Sequence, residues 1–286
     1  MFVVKVRLRA SKKTRLVLNA GKAKGMKIYI YSSEERMAAA AAEKAALALR
    51  STVEAKGKAV FVAATGASQL QFLKALTSRK DIPWPKTIMF HLDEYIGLSD
   101  THPASFRYYL RKHLVNIVHP GEVHFIRGDA EDPLAECRRL SQLITQYSVD
   151  VAFVGIGENC HLAFNDPPAD FDTNQPFIVV NLDYACRFQQ VREGWFSRME
   201  DVPLKAITMS IKQILRASVI IGVVPEARKA QAVKNALEGP VSPHCPASIL
   251  RTHGNCHLFL DKDSSSMLNI ERLKYAYEVY LDGDRV

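Results

Sequence analysis

The sequence predicts an α/β fold, a Rossmann-like three-layer α/β/α sandwich on a mostly parallel sheet. Three observations carry that expectation. From Met26 onward, short β-rich runs alternate with longer helical patterns, the order that parallel strands and crossover helices produce. The runs are apolar, as strands covered on both faces must be. Polar, small-residue segments follow their C-terminal ends, where sheets of this kind bind ligands.

In chain order, strands are expected at 27–31, 59–64, 87–92, 123–126, 150–154, 177–180, 206–209, 219–224 and 257–260. A long helix is expected from Ser33 to Glu54. Ser32, Ser33 and Glu35 supply N-terminal capping groups, an alanine-rich run propagates the helix, and Gly57 ends it. No repeat, low-complexity tract or linker interrupts residues 26–286, so a single domain is expected there.

The composition narrows the partners. Of the 38 Lys and Arg residues in 286, eight lie in residues 1–25, which contain no acid, so the formal charge of +8 belongs to that leader. The remainder carries 30 basic and 30 acidic side chains, which argues against a nucleic-acid partner for the body of the protein. The leader reads as a basic extension, disordered or outside the fold, with a targeting segment or a nucleic-acid arm as alternatives. Met26 is a natural place for the domain to begin.

No stretch approaches the roughly 20 apolar residues of a membrane span, so a cytoplasmic protein with no membrane partner is expected. Oligomeric state stays open, with a homo-oligomer among the options. Cysteines 137, 160, 186, 245 and 256 show no CxxC and an odd total, so no disulfide framework is expected. His244, Cys245, His253, Cys256 and His257 crowd together, but their spacing matches no paired-ligand pattern, and no metal site is expected.

Four segments carry candidate chemistry. Thr65-Gly66-Ala67-Ser68 follows a strand and opens a helix, so its backbone N–H groups and hydroxyls could hold a phosphate. His91-Leu92-Asp93-Glu94-Tyr95 ends the next strand. Adjacent side chains on extended backbone diverge, so one of Asp93 and Glu94 would serve chemistry and the other structure. In the run Gly155 to Pro168, Gly157 lets backbone approach a ligand, and Asn159 and Asp166 bracket His161, an imidazole able to take and give a proton near neutral pH. Arg192 and Lys229 are candidate phosphate clamps, Arg bidentate and Lys as a point charge.

Together these segments resemble the glucosamine-6-phosphate deaminase family, also called glucosamine-6-phosphate isomerase, in order from about Met26 to Leu268. The resemblance also rests on Leu92-Asp93-Glu94-Tyr95-Ile96-Gly97-Leu98 with His102-Pro103, and on Leu237-Glu238-Gly239. It implies ring opening of an amino-sugar phosphate, proton movement between C2 and C1, and loss of ammonia, with no cofactor. It assigns Asp93 as the proton shuttle, His161 as the ring-opening acid–base, and Asp166 to the place of a supporting Glu, with Asn159 beside the histidine. Thr65, Gly66, Ala67, Ser68, Gly157, Arg192 and Lys229 match substrate-binding positions.

The chain departs from the family pattern at Ala67 and Cys160, each standing where Gly is usual, and at Asp166. The cationic allosteric positions of some members correspond here to Pro176 and Ile178, so activation by N-acetylglucosamine 6-phosphate is not expected. A 6-phosphogluconolactonase on the same scaffold and a non-catalytic sugar-phosphate binding protein are the competing readings.

Overall fold

The computed structural model describes residues 25–286, so the leader and the expectation about it lie outside the described residues, Gly25 apart. Twelve strands form: β1 (Met26–Tyr31), β2 (Ala59–Ala63), β3 (Thr87–His91), β4 (Asp93–Tyr95), β5 (Glu122–His124), β6 (Val151–Val154), β7 (Phe177–Asn181), β8 (Lys205–Met209), β9 (Val219–Val224), β10 (Cys256–Asp261), β11 (Glu278–Leu281) and β12 (Asp284–Arg285). Nine strands make the main sheet, in the order β12-β11-β1-β10-β9-β6-β2-β3-β5. Only the β11–β12 pair in it is antiparallel. With helices on its faces, this is the α/β class that the sequence predicts.

Each expected strand is present, but β7 and β8 leave the main sheet. They pair antiparallel with each other and with β4 in a small second sheet ordered β4-β8-β7. β4 lies outside the expected set, since three residues carrying two carboxylates have no apolar signal of their own; its ladder to β8, Asp93 opposite Thr208, is a tertiary fact. β11 and β12, near the C-terminus, also lie outside it.

Alternation along the buried strands shows why both faces had to be apolar. Phe61 of β2 and Phe153 of β6 point into a layer with Met37, Ala41, Ala45 and Phe72. Val60, Val62 and Val154 point into the opposite layer with Leu140, Ile220 and Leu258. Fully burying each such large side chain is worth about 1.5–3 kcal/mol. The long helix runs Glu34–Lys56. Ser33 Oγ accepts from the Arg36 N–H at 3.3 Å, and Gly57, at φ 77°, closes the other end with its N–H on the Val53 carbonyl. Its alanines bury a narrow face, letting the helix lie close to the sheet.

β2, β6 and β9 are neighbours at the centre of the sheet, with β3 beside β2. Their C-terminal ends therefore deliver Thr65, Asp93, Gly155 and Lys229 to one edge. Among the described residues, no helix is long and apolar enough to cross a membrane.

Candidate active site

These ends border one cleft, open to solvent at its mouth. Leu92 joins the two sheets, donating its N–H to Ala63 and accepting from the Met209 N–H, and so fixes the next residue at the junction. There the adjacent carboxylates part. Glu94 is fully buried and accepts from the backbone N–H groups of Tyr95, Phe106 and Arg107 and from Ser105 Oγ, at 2.8–3.1 Å. It therefore anchors the start of the helix Phe106–Leu110.

Asp93 lines the cleft with Phe106 and Phe164 near it, and no hydrogen bond reaches its carboxyl among the described residues. Burial, followed by the charge of Glu94, pushes the Asp93 pKa up to about 8. A carboxyl that titrates near neutral pH at a cleft wall can both give and take a proton.

The loop after β6 sets the histidine. His161 Nδ1 donates to Asn159 Oδ1 at 2.6 Å, with Asp166 Oδ1 3.3 Å away, which leaves Nε2 for the cleft. Asn159 Nδ2 in turn donates to Asp166 Oδ1 and to Asp183 Oδ2, and the Asp183 N–H reaches Asp166 Oδ2 at 3.0 Å. Asn159 and Asp166 thus stand behind the ring rather than in the cleft wall. Burial alone would raise the Asp166 pKa, but His161, the Asp183 N–H and Asn159 outweigh it and hold the carboxyl below its usual range.

Gly157 is where this loop needs glycine for space. A Cβ there would lie 2.1–2.3 Å from three atoms of the His161 ring. Cys160 takes φ 73° and Ala163 φ 55°, left-handed backbone at two side-chain-bearing residues. Cys160 is also tied to Cys245 by a disulfide, with Cα atoms 5.0 Å apart and a sequence separation of 85. This corrects the expectation drawn from cysteine spacing: folding, not proximity in sequence, brings the two together.

His161, Asp166 and Cys186 place ligand-type atoms within 4.8 Å of one another. Both Asp166 oxygens and Nδ1 are already engaged, and burial, with Asp166 next, pushes the Cys186 thiol far up. The donor set suits proton transfer better than metal ligation.

Thr65, Gly66, Ala67 and Ser68 also line the cleft. Gly66 takes the positive φ, 104°, and its carbonyl accepts from Tyr109 Oη at 2.9 Å. Ala67 avoids left-handed backbone, so its Cβ meets no conformational penalty. Lys229 lines the same cleft, 2% exposed, and its ammonium has no hydrogen bond or direct ion pair among the described residues. Arg192 does not join it. The guanidinium turns out to Glu158, 3.1 Å away, and the wall beside Lys229 is built from Gln189, Gln190 and Glu193. The structure thus brings Lys229, but not Arg192, to the cleft wall. Arg192 is half-exposed at the end of the helix Tyr184–Arg192, and a carboxylate already held by Arg228 captures it there.

A profile of glucosamine-6-phosphate isomerases and 6-phosphogluconolactonases matches residues 32–258. The chain belongs to this family. It is 37% identical to a glucosamine-6-phosphate deaminase of Exiguobacterium sibiricum over 190 residues, 66% of this chain and 74% of the relative. It is 35% identical to that of Streptococcus sanguinis over 226 residues, 79% of this chain and 94% of the relative. A solved monomeric glucosamine-6-phosphate deaminase superposes with a TM-score of 0.77 at 30% identity, covering 85% of this chain and all of the other. A 6-phosphogluconolactonase from Thermotoga maritima shares the fold at a TM-score of 0.69 and 16% identity, over 83% of this chain and all of the other.

Within this family frame, the residues that sequence reasoning missed are Asp183, Gln189, Gln190 and Glu193. Asp183 had a readable local signal, since Asp before Tyr184-Ala185-Cys186 is an N-cap, and its Oδ1 accepts from the Cys186 N–H. Its second task, gripping Asn159 and Asp166, is visible only in three dimensions. Asp183→Ala should therefore lower kcat by roughly 10- to 100-fold, the usual cost of losing an outer-shell partner, with KM little changed. Steady-state kinetics checks this, and a larger change in KM than in kcat would refute it.

Proposed function

We propose that this protein is a glucosamine-6-phosphate deaminase acting in amino-sugar breakdown in the cytoplasm, releasing ammonia and fructose 6-phosphate. One observation carries the reading: a single cleft is lined by an unbonded Asp93 carboxyl, the free edge of His161, an unpaired buried Lys229 ammonium and a small-residue turn. The first two suit a sugar's reacting carbons, and the lysine and the turn suit a phosphate. Names of relatives 31–37% identical support the same reading.

His161 Nε2 takes the proton of the ring's anomeric hydroxyl and passes a proton to the ring oxygen, opening the sugar. Asp93 then removes the C2 proton and delivers it to C1, while a proton passes from the C2 ammonium to O1. Nitrogen at C2 becomes an imine, water adds to it, and ammonia leaves. An Asp93 pKa near 8 would leave the empty site mostly protonated at neutral pH, but a substrate ammonium beside the carboxyl favours its ionised form. Asp166 and Asn159 keep Nδ1 protonated, so that Nε2 starts as the acceptor.

Ammonia release from glucosamine 6-phosphate by the purified protein tests the reading. Hydrolysis of 6-phosphogluconolactone without ammonia would replace it with the lactonase, and binding without turnover would replace it with a sugar-phosphate binding protein. In the same assay, Lys229→Ala should raise KM by roughly 10- to 100-fold, as expected for losing a charge-assisted contact worth about 1.5–3 kcal/mol. Arg192→Ala should stay within about threefold of the parent, because a half-exposed ion pair contributes little. A reversal of these two effects would return Arg192 to the clamp.

A further inference from the structure

Besides Asp93 and His161, the charged side chains that line the cleft among the described residues are Lys229 and Glu193. Glu193 is buried, its side chain 5% exposed. Its carboxylate accepts from Gln189 Nε2 at 2.7 Å, Arg228 Nη1 at 2.7 Å and Trp195 Nε1 at 3.0 Å. Burial would push its pKa up, but Lys229 and Arg228, with the hydrogen bonds of Gln189 and Trp195, hold it below its usual range, so it is ionised at neutral pH.

The other cations nearby are already engaged. Arg228 also reaches Glu226 and Glu158, and Arg192 shares Glu158. Three cations, Lys229, Arg228 and Arg192, thus stand against three carboxylates, Glu193, Glu158 and Glu226, so the group as a whole carries no net charge. An anion site would ordinarily gather positive charge; this one carries a buried negative charge beside its lysine.

We propose that Glu193 is a specificity-determining residue that keeps the phosphate end of the cleft electrically neutral, so that a phosphate is held by backbone N–H groups, hydroxyls and one ammonium, and held loosely. This rests on the sugar-phosphate reading of the cleft. Glu193 opposes the dianion directly, at an interior dielectric where charges interact more strongly than in water. The consequence is kinetic. Substrate and product both carry the phosphate, so a tighter grip would lower KM without speeding chemistry and would slow product departure. Loose binding at this end leaves discrimination to the reacting end.

The test is calorimetric titration with inorganic phosphate, beside steady-state kinetics on glucosamine 6-phosphate. Glu193→Gln keeps the shape and the acceptor oxygen but removes the charge. It should tighten phosphate binding by about tenfold, equivalent to about 1.4 kcal/mol, and lower KM by a similar factor without raising kcat. Arg228→Gln, which removes one cation from this balance, should weaken phosphate binding by about tenfold, and the double variant should return near the parent. Should Glu193→Gln fail to fold, the weakening in Arg228→Gln carries the test, and unchanged binding there overturns the proposal. Equal or weaker phosphate binding by a folded Glu193→Gln overturns it too, and makes Glu193 a support for Lys229. If ammonia release is normal in that case, only the Glu193 inference falls. If neither parent nor variants bind phosphate or sugar phosphate, the reading of the cleft falls and this inference with it.

Discussion

Asp93→Asn should lose turnover by roughly 10²- to 10⁴-fold, the range for removing a positioned acid–base group, while gaining thermal stability that grows with pH. Both effects follow from one buried carboxyl. Asn fills the same space next to Phe106 and Phe164 but cannot accept the C2 proton.

For stability, the sign follows from the raised pKa. A carboxyl with a folded-state pKa near 8 and an ordinary unfolded-state value favours the fold fully below the ordinary carboxylate range. That contribution is lost as pH rises toward 8, at up to about 1.4 kcal/mol per pH unit. Asn has no charge to bury and escapes the loss. Thermal unfolding of both proteins at pH 5 and pH 8 checks this: the variant's Tm advantage should be small at pH 5 and clear at pH 8. An equal difference at both values would show that the Asp93 pKa is not raised. In the parent, kcat/KM should climb with pH and level off above about 8.

Gly157→Ala should lower kcat by roughly 10²-fold or more, because a catalytic ring displaced by about 1 Å costs that much. The new Cβ would fall 2.1–2.3 Å from Cε1, Nε2 and Nδ1 of His161, so the imidazole must move off its bond to Asn159 or the loop must shift. Overpacking of this sort also destabilises by about 1–3 kcal/mol. Binding of inorganic phosphate by Lys229 and the Thr65–Ser68 turn should survive. Gly254→Ala is the matched control, since a Cβ there meets nothing within 4 Å, and it should keep parental activity. A fully active Gly157→Ala would mean that the ring does not need its place above this glycine.

Much of this protein is legible in the order of its amino acids. Apolar runs and the helices between them mark out the sheet, since a strand covered on both faces has no polar alternative. Small residues after β2 and β6, with the Asp93-Glu94 pair after β3, mark the ligand edge, since chemistry collects where parallel strands end. The chain order also requires that Asp93 and Glu94 diverge. It does not say which of them faces the cleft, because that depends on Ser105 and the helix Phe106–Leu110 arriving to take Glu94.

What the tertiary structure alone decided are pairings between distant residues. Cys160 meets Cys245, and Asp183 grips Asn159 and Asp166 from another segment. Arg192 turns to Glu158 while Glu193, its neighbour, lines the cleft beside Lys229. The reason is physical. Whether a side chain is buried follows from local apolar pattern, but which charge answers which is a contest among all groups within reach. One residue of helical rotation, about 100°, separates a side chain that lines the cleft from one in a surface ion pair.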